Sequence, residues 1–174
     1  MKLDAGPSSL GKYKGSCVNN QDPKGLARIQ VQVADVLGFN VSNWAMPCLP
    51  IAGAPLALGL PSGFYMVPPV GTGVWVEFEQ GDIDRPIWTG CFWRSTEEVP
   101  PLAQAPPPLH DILLQTPGQY SISLSDTKGI QIRSPSGAVI VVSDAGITLN
   151  NGKGATVDLV AHATSVNNGG LIVT

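Results

Sequence analysis

Charge, aromatic side chains and long hydrophobic runs are all scarce in this chain of 174 residues. Charged residues make up 13% of it and aromatics 6%, where ordinary soluble domains carry about 25% charged residues. A net charge of −3 supplies no basic field for a phosphate backbone, so nucleic acid is not an expected partner. No apolar run reaches the ~18 residues that a membrane-spanning helix needs. The N-terminus, Met1-Lys2-Leu3-Asp4-Ala5-Gly6, has no apolar signal-peptide core, and synthesis and folding in the cytoplasm are expected. The three cysteines, Cys17, Cys48 and Cys91, form no CxxC pair and lack the spacing of a structural zinc site. They read as free thiols packed as small hydrophobes. No stretch keeps helical periodicity over three turns. Glycine (20) and proline (16) are abundant instead, which favours short strands and many turns. The expected fold class is all-β.

The most informative pattern lies near the C-terminus. Gly129, Gly137, Gly146 and Gly154 are spaced by 8, 9 and 8 residues (137−129, 146−137, 154−146). Between them run short alternating segments: Ile130 and Ile132, Ile147 and Leu149, Val157 and Leu159. A strand alternates its side chains at period 2, so each segment presents one apolar face. Tyr120, Ile122 and Leu124 alternate with serines just before them. Repeats this short point to a solenoid or fibre, not to a domain built around a pocket. Residues 111–174 contain no tryptophan or phenylalanine, so this region has little to bury by itself. Its apolar stripe must meet something else, and copies of the same chain wound about one axis are the economical answer. Ile130, Ile132, Val139, Val141, Ile147, Leu149, Val157 and Leu159 are expected to face the interior of that trimer.

Residues 94–110 separate this region from a different one. The stretch ends in Ala105-Pro106-Pro107-Pro108, and proline, which fixes φ and lacks a ladder donor, predicts an extended linker. Residues 1–93 form the first domain. Strands are predicted at Gly11 to Asn20, Arg28 to Val33, Trp44 to Leu49, Gly73 to Glu79 and Pro86 to Trp93, with a loop over 50–64. About five strands in so short a span fit the partly open Greek-key barrel of an OB-fold.

Several motifs in this first region follow one another in a specific order. They are Gly11-Lys12-Tyr13-Lys14-Gly15, then Asp22-Pro23-Lys24-Gly25-Leu26-Ala27-Arg28-Ile29-Gln30-Val31, then Trp44-Ala45-Met46-Pro47-Cys48. Pro68-Pro69-Val70-Gly71-Thr72-Gly73-Val74-Trp75-Val76-Glu77-Phe78-Glu79-Gln80-Gly81-Asp82 comes next, running on to Arg85-Pro86-Ile87-Trp88-Thr89-Gly90. In this order they resemble the OB-fold domain of contractile-tail spike proteins: phage baseplate assembly protein V, the VgrG spike of type VI secretion, and the spikes of extracellular injection systems. The resemblance implies an OB-fold barrel followed by a trimeric, intertwined triple-stranded β-helix over residues 111–174. It implies a structural spike at the centre of a baseplate, piercing the target envelope when the sheath contracts. Its broad end would meet a hub, its narrow end a PAAR-type tip protein, and the target membrane only in passing. With no preceding hub domain, inserted lysozyme or effector, the chain is expected to be a minimal spike, assembled in the cytoplasm within a particle that acts at or outside the cell envelope.

No catalytic set is apparent, and no enzymatic activity is expected. Glu77 and Glu79 with Asp82 and Asp84 read as a solvated hairpin tip, since a hard cation needs oxygens converging on one point. His110 and His162 have no Cys or His partners at ligand spacing. Threefold symmetry would triplicate His162, which makes it the one candidate for an axial metal at the tip, but no cofactor is expected. The apolar end Leu171-Ile172-Val173-Thr174 reads either as a last shaft strand or as the docking surface for a tip protein; in a trimer both hold. The competing reading is an OB-fold module that binds oligosaccharide or single-stranded nucleic acid by stacking on Trp44, Trp75, Trp88 and Trp93.

Overall fold

A computed structural model of the chain describes residues 9–53, 60–104 and 111–173. They form two compact units, Met1–Glu98 and Val99–Thr174. The first contains β1 (Tyr13–Asn19), β2 (Gln30–Gln32), the single-turn helix α1 (Ala34–Leu37), β3 (Met46–Pro47), β4 (Ala52–Gly53), β5 (Ser62–Gly63), β6 (Gly73–Phe78) and β7 (Pro86–Phe92). Five of these strands make one sheet in the order β2-β1-β6-β7-β3. β3 runs parallel to β7, and bridges from Ile29 to Ala45 and from Gln32 to Val41 tie β2 to the segment that leads into β3. Those bridges close the sheet on itself as a small barrel.

Strand alternation fills the barrel. Val74, Val76 and Phe78 of β6 are buried while Trp75 and Glu77 between them are half-buried. Ile29, Val31 and Val33 contribute the facing row, with Cys17, Ala45 and Trp88 completing the core. Burial of an indole requires a partner for its N–H, and Trp88 Nε1 donates to the carbonyl of Ala27 at 3.0 Å. Ala27 sits at φ 59°, so the loop that presents this carbonyl holds a conformation unusual for a residue with a Cβ. Asp22 holds the loop. Its carboxylate accepts the backbone N–H of Lys24, Leu26 and Arg28 and the side chain of Arg28. The Arg28 guanidinium, followed by these backbone donors, holds the Asp22 carboxyl well below the usual carboxylate range. Burial pushes the Cys17 thiol up.

Two features of this unit differ from expectation. Part of the 50–64 stretch pairs as the short hairpin β4–β5; residues 54–59 lie outside the described residues. The start of the 94–110 stretch is wound, not extended: single 3₁₀ turns occupy Thr96–Glu98 and Pro101–Ala103. Glu98 accepts both the backbone N–H and the side chain of Arg94, which supplies a partner that the proline count does not reveal. Residues 105–110, including His110, lie outside the described residues.

The second unit contains β8 (Ile112–Gln115), β9 (Ser121–Ser125), β10 (Gly129–Arg133), β11 (Val139–Ser143), β12 (Gly146–Asn150), β13 (Thr156–Val160), β14 (Ala163–Val166) and β15 (Leu171–Val173). They form one eight-stranded sheet in strict sequence order, each strand antiparallel to its neighbours. The four glycines of the repeat all take positive φ, but for two different reasons. A Cβ on Gly129 would collide with the carbonyl of Val142, and one on Gly146 with the carbonyl of Leu159. Gly154 has open space around it, and Gly137 only a distant backbone neighbour. The first pair permits close backbone approach where β10 and β12 begin; the second pair serves turn geometry.

Here every ladder of the sheet joins consecutive strands of one chain. Short turns allow this directly, because antiparallel strands need only a tight hairpin between them.

Candidate functional site on one face of the second sheet

The register assigns each residue of the second sheet to a face, since directly paired residues point the same way. Ile112, Leu124, Ile130, Val142, Ile147, Leu159, Thr164 and Val173 form one continuous column of cross-strand partners. Leu114, Ile122, Ile132, Ile140, Leu149, Val157, Val166 and Leu171 form a second column beside it. Thr164 is the one residue in either column that is not a hydrocarbon. The opposite face carries Ser121, Ser123, Gln131, Arg133, Thr148, Asn150, Asp158 and Ser165, where Thr148 Oγ1 donates to Asp158 Oδ1 at 2.8 Å.

Among the described residues of the second unit, none covers the apolar face. Its Ile and Leu side chains are exposed, from 38% at Ile147 to 61% at Ile112, while Val157 and Val166 are half-buried. An open groove of about 580 Å³ runs along the edge of the sheet, lined by Ile132, Ile140, Leu149 and Val157 together with Arg133 and Val139 of the other face. A contiguous apolar face of this length marks an interaction surface. It can bury hydrocarbon against hydrocarbon and exclude water.

Six of the eight expected interior residues share this face: Ile130, Ile132, Ile147, Leu149, Val157 and Leu159. Val139 and Val141 do not. They pair with Arg133 and Gln131 on the opposite face, and Ile140 and Val142 take their places. The run Val139-Ile140-Val141-Val142 is apolar throughout, so alternation alone cannot phase it. The pairing of Ile140 with Ile132 and Leu149 does. Ile122 and Leu124, which alternate with serines, extend the face beyond the glycine-spaced core, as do Ile112, Leu114 and Val166, whose neighbours in sequence show no clean alternation.

The remaining candidates are dispersed. Leu171 and Val173 end the two columns, with Ile172 between them in β15; Thr174 lies outside the described residues. His162 is exposed in the turn between β13 and β14. No group of three or more His, Cys, Asp or Glu side chains is placed to hold a metal among the described residues. The hairpin carboxylates are engaged individually: Glu77 with Lys12 at 2.9 Å, Glu79 with Arg85 at 2.7 Å, and Asp82 as acceptor of the Asp84 backbone N–H. The four tryptophans form no stacking platform. Trp88 is a core residue at 3% exposure, Trp44 lies under Arg28, and Trp75 packs against Phe92 with ring centroids 4.9 Å apart. Only Trp93 stands clear, at 62%.

Residues 13–93 match the type VI secretion system/phage-baseplate injector OB domain, and residues 111–172 match the phage baseplate V C-terminal trimerisation domain. The chain belongs to the phage baseplate V family. No curated protein matches it. Membership settles two coarse points. A baseplate V chain has a structural role in the baseplate of a phage or type VI injection machine, and its second unit is a trimerisation domain, which supports a homotrimer.

Proposed function

We propose that this baseplate V chain is the central spike of a contractile injection machine. Three copies bury their apolar columns against one another, forming a shaft whose long axis follows the stacking direction of the strands. Eight strands at about 4.8 Å spacing make a shaft of roughly 34 Å. In this reading Ile140 and Val142, not Val139 and Val141, line the interior, and each chain contributes one sheet as one side of the shaft. The hydrogen bonds then lie along the direction of load: the ladders carry axial force in series, and the bonds within each ladder share it in parallel. The spike pierces the target envelope on sheath contraction, the barrels meet the tube hub, and β15 receives a PAAR-type tip protein at the far end. Assembly takes place in the cytoplasm, the particle acts at or outside the envelope, and no cofactor is required.

The observation that carries this reading is the uncovered two-column face within a trimerisation domain. The test is complementation of a particle-producing strain that lacks the chain. Wild type is expected to restore active particles, with a tag on the chain seen on the baseplate axis by electron microscopy. Ile140→Asp should restore none. Active particles without the chain, or a tag off the axis, would sink the proposal. The rival reading, a stacking module for sugars or bases, draws little support because three of the four tryptophans are engaged within the barrel unit.

A further inference from the structure

Thr164 interrupts an otherwise unbroken hydrocarbon face. It lies in the first column between its partners Leu159 and Val173. Valine has nearly the same shape and would fill the position without a hydroxyl. Turned toward hydrocarbon, a hydroxyl loses its hydrogen bonds to water and gains none. Only groups in the same layer of neighbouring copies, or a water shared among them, can restore those bonds. We infer that Thr164 is the residue that fixes the axial register of the three copies. This rests on the proposed burial of the apolar columns between copies.

The physical argument is one of discrimination. The columns repeat with nearly identical Ile, Leu and Val residues, so sliding one copy by a strand replaces one hydrocarbon contact by another. Faces that repeat near-identical side chains at every strand leave alternative registers open. One polar residue at one level breaks the degeneracy. In register, three Thr164 hydroxyls share a layer and satisfy one another or a common water. Displaced by a strand or more, each faces Leu, Ile or Val alone. A single buried polar residue sets register in the same way in coiled coils, lowering stability while narrowing the alternatives.

The experiment uses the full chain with Thr164→Val, Thr164→Ala and Thr164→Ser, read by methyl NMR and by sedimentation. Wild type and Thr164→Ser are expected to give trimer mass and one set of Ile, Leu and Val methyl signals. Thr164→Val is expected to keep trimer mass and melt higher, yet show additional methyl sets from shifted copies. Thr164→Ala should also show additional sets, which separates loss of the hydroxyl from the gain of a methyl. A single methyl set in trimeric Thr164→Val, matching wild type, would overturn the inference. Single-chain mass in wild type would instead overturn the buried-column reading on which it rests.

Discussion

The barrel and the sheet are built from the same alternating β-strands, yet one is complete and the other is not. In the barrel, Val74 and Val76 are 0% exposed, because the ring of strands closes on its own interior. In the sheet, Ile130 and Ile132 carry the same alternation and remain close to half exposed, because an open meander has no second layer. The difference teaches that alternation fixes which side chains share a face but says nothing about what covers it. Closure is a property of topology. The bridges at Ile29 and Gln32 close the first sheet, while the sequential order from β8 to β15 leaves the second one open.

The comparison can be broken hardest by placing charge on the apolar face. Ile132→Asp with Ile147→Asp is expected to abolish the trimer while leaving the barrel folded, since an unpaired carboxylate cannot be buried among hydrocarbon. Sedimentation and tryptophan fluorescence check the two halves separately. A stable trimer in that variant would mean the face points outward. Val141→Asp is the control on the opposite face and should leave the mass unchanged.

Next in size is Gly146→Ala, which drives a Cβ into the Leu159 carbonyl at positive φ. A cost of at least 1–3 kcal/mol is expected from the backbone conformation alone, roughly. Gly154→Ala meets the same kind of backbone cost, since its φ is also positive, but no collision where the space is open; it should be the milder of the two and so sort the two kinds of glycine. Thermal unfolding of the shaft reads both.

The barrel has its own weak points. Trp88→Phe removes the donor to the Ala27 carbonyl and is expected to cost about 1–3 kcal/mol, seen in barrel unfolding with no change in mass. Asp22 supplies a pH dependence. Its carboxyl is held below the ordinary range by Arg28 and the loop N–H groups. Its contribution is therefore full at neutral pH, where the group is ionised in both states. It is lost as pH falls below the unfolded aspartate value of about 3.9 and on through the lowered folded value. Barrel stability measured from pH 6 downward should fall less steeply in Asp22→Asn than in wild type; identical slopes would show that the loop network contributes nothing.

Much of this was legible in the sequence. The five barrel strands, the Asp22 turn and the repeating glycines announce themselves by alternation and by turn chemistry. So does most of the apolar face, because Ile130 and Ile132 are each flanked by polar residues or glycine. The phase of Val139 to Val142 was not legible, since four apolar residues in a row carry no alternation, and only the partner strands decide it. The pairing order was not legible either, because a period of eight or nine residues does not say which strands lie side by side. The distinct demands on Gly146 and Gly154 depend on what lies opposite each, which spacing does not record. Thr164 hides in plain view: threonine is common in strands, and only the register shows that it stands in a hydrocarbon column.

The most direct test is the mass of the intact chain in solution, by light scattering at two concentrations. The account predicts three times 18.2 kDa at both, with Ile140→Asp reduced to a single chain. A wild-type single-chain mass at both concentrations would contradict it, leaving an apolar face of eight strands in water with nothing to cover it.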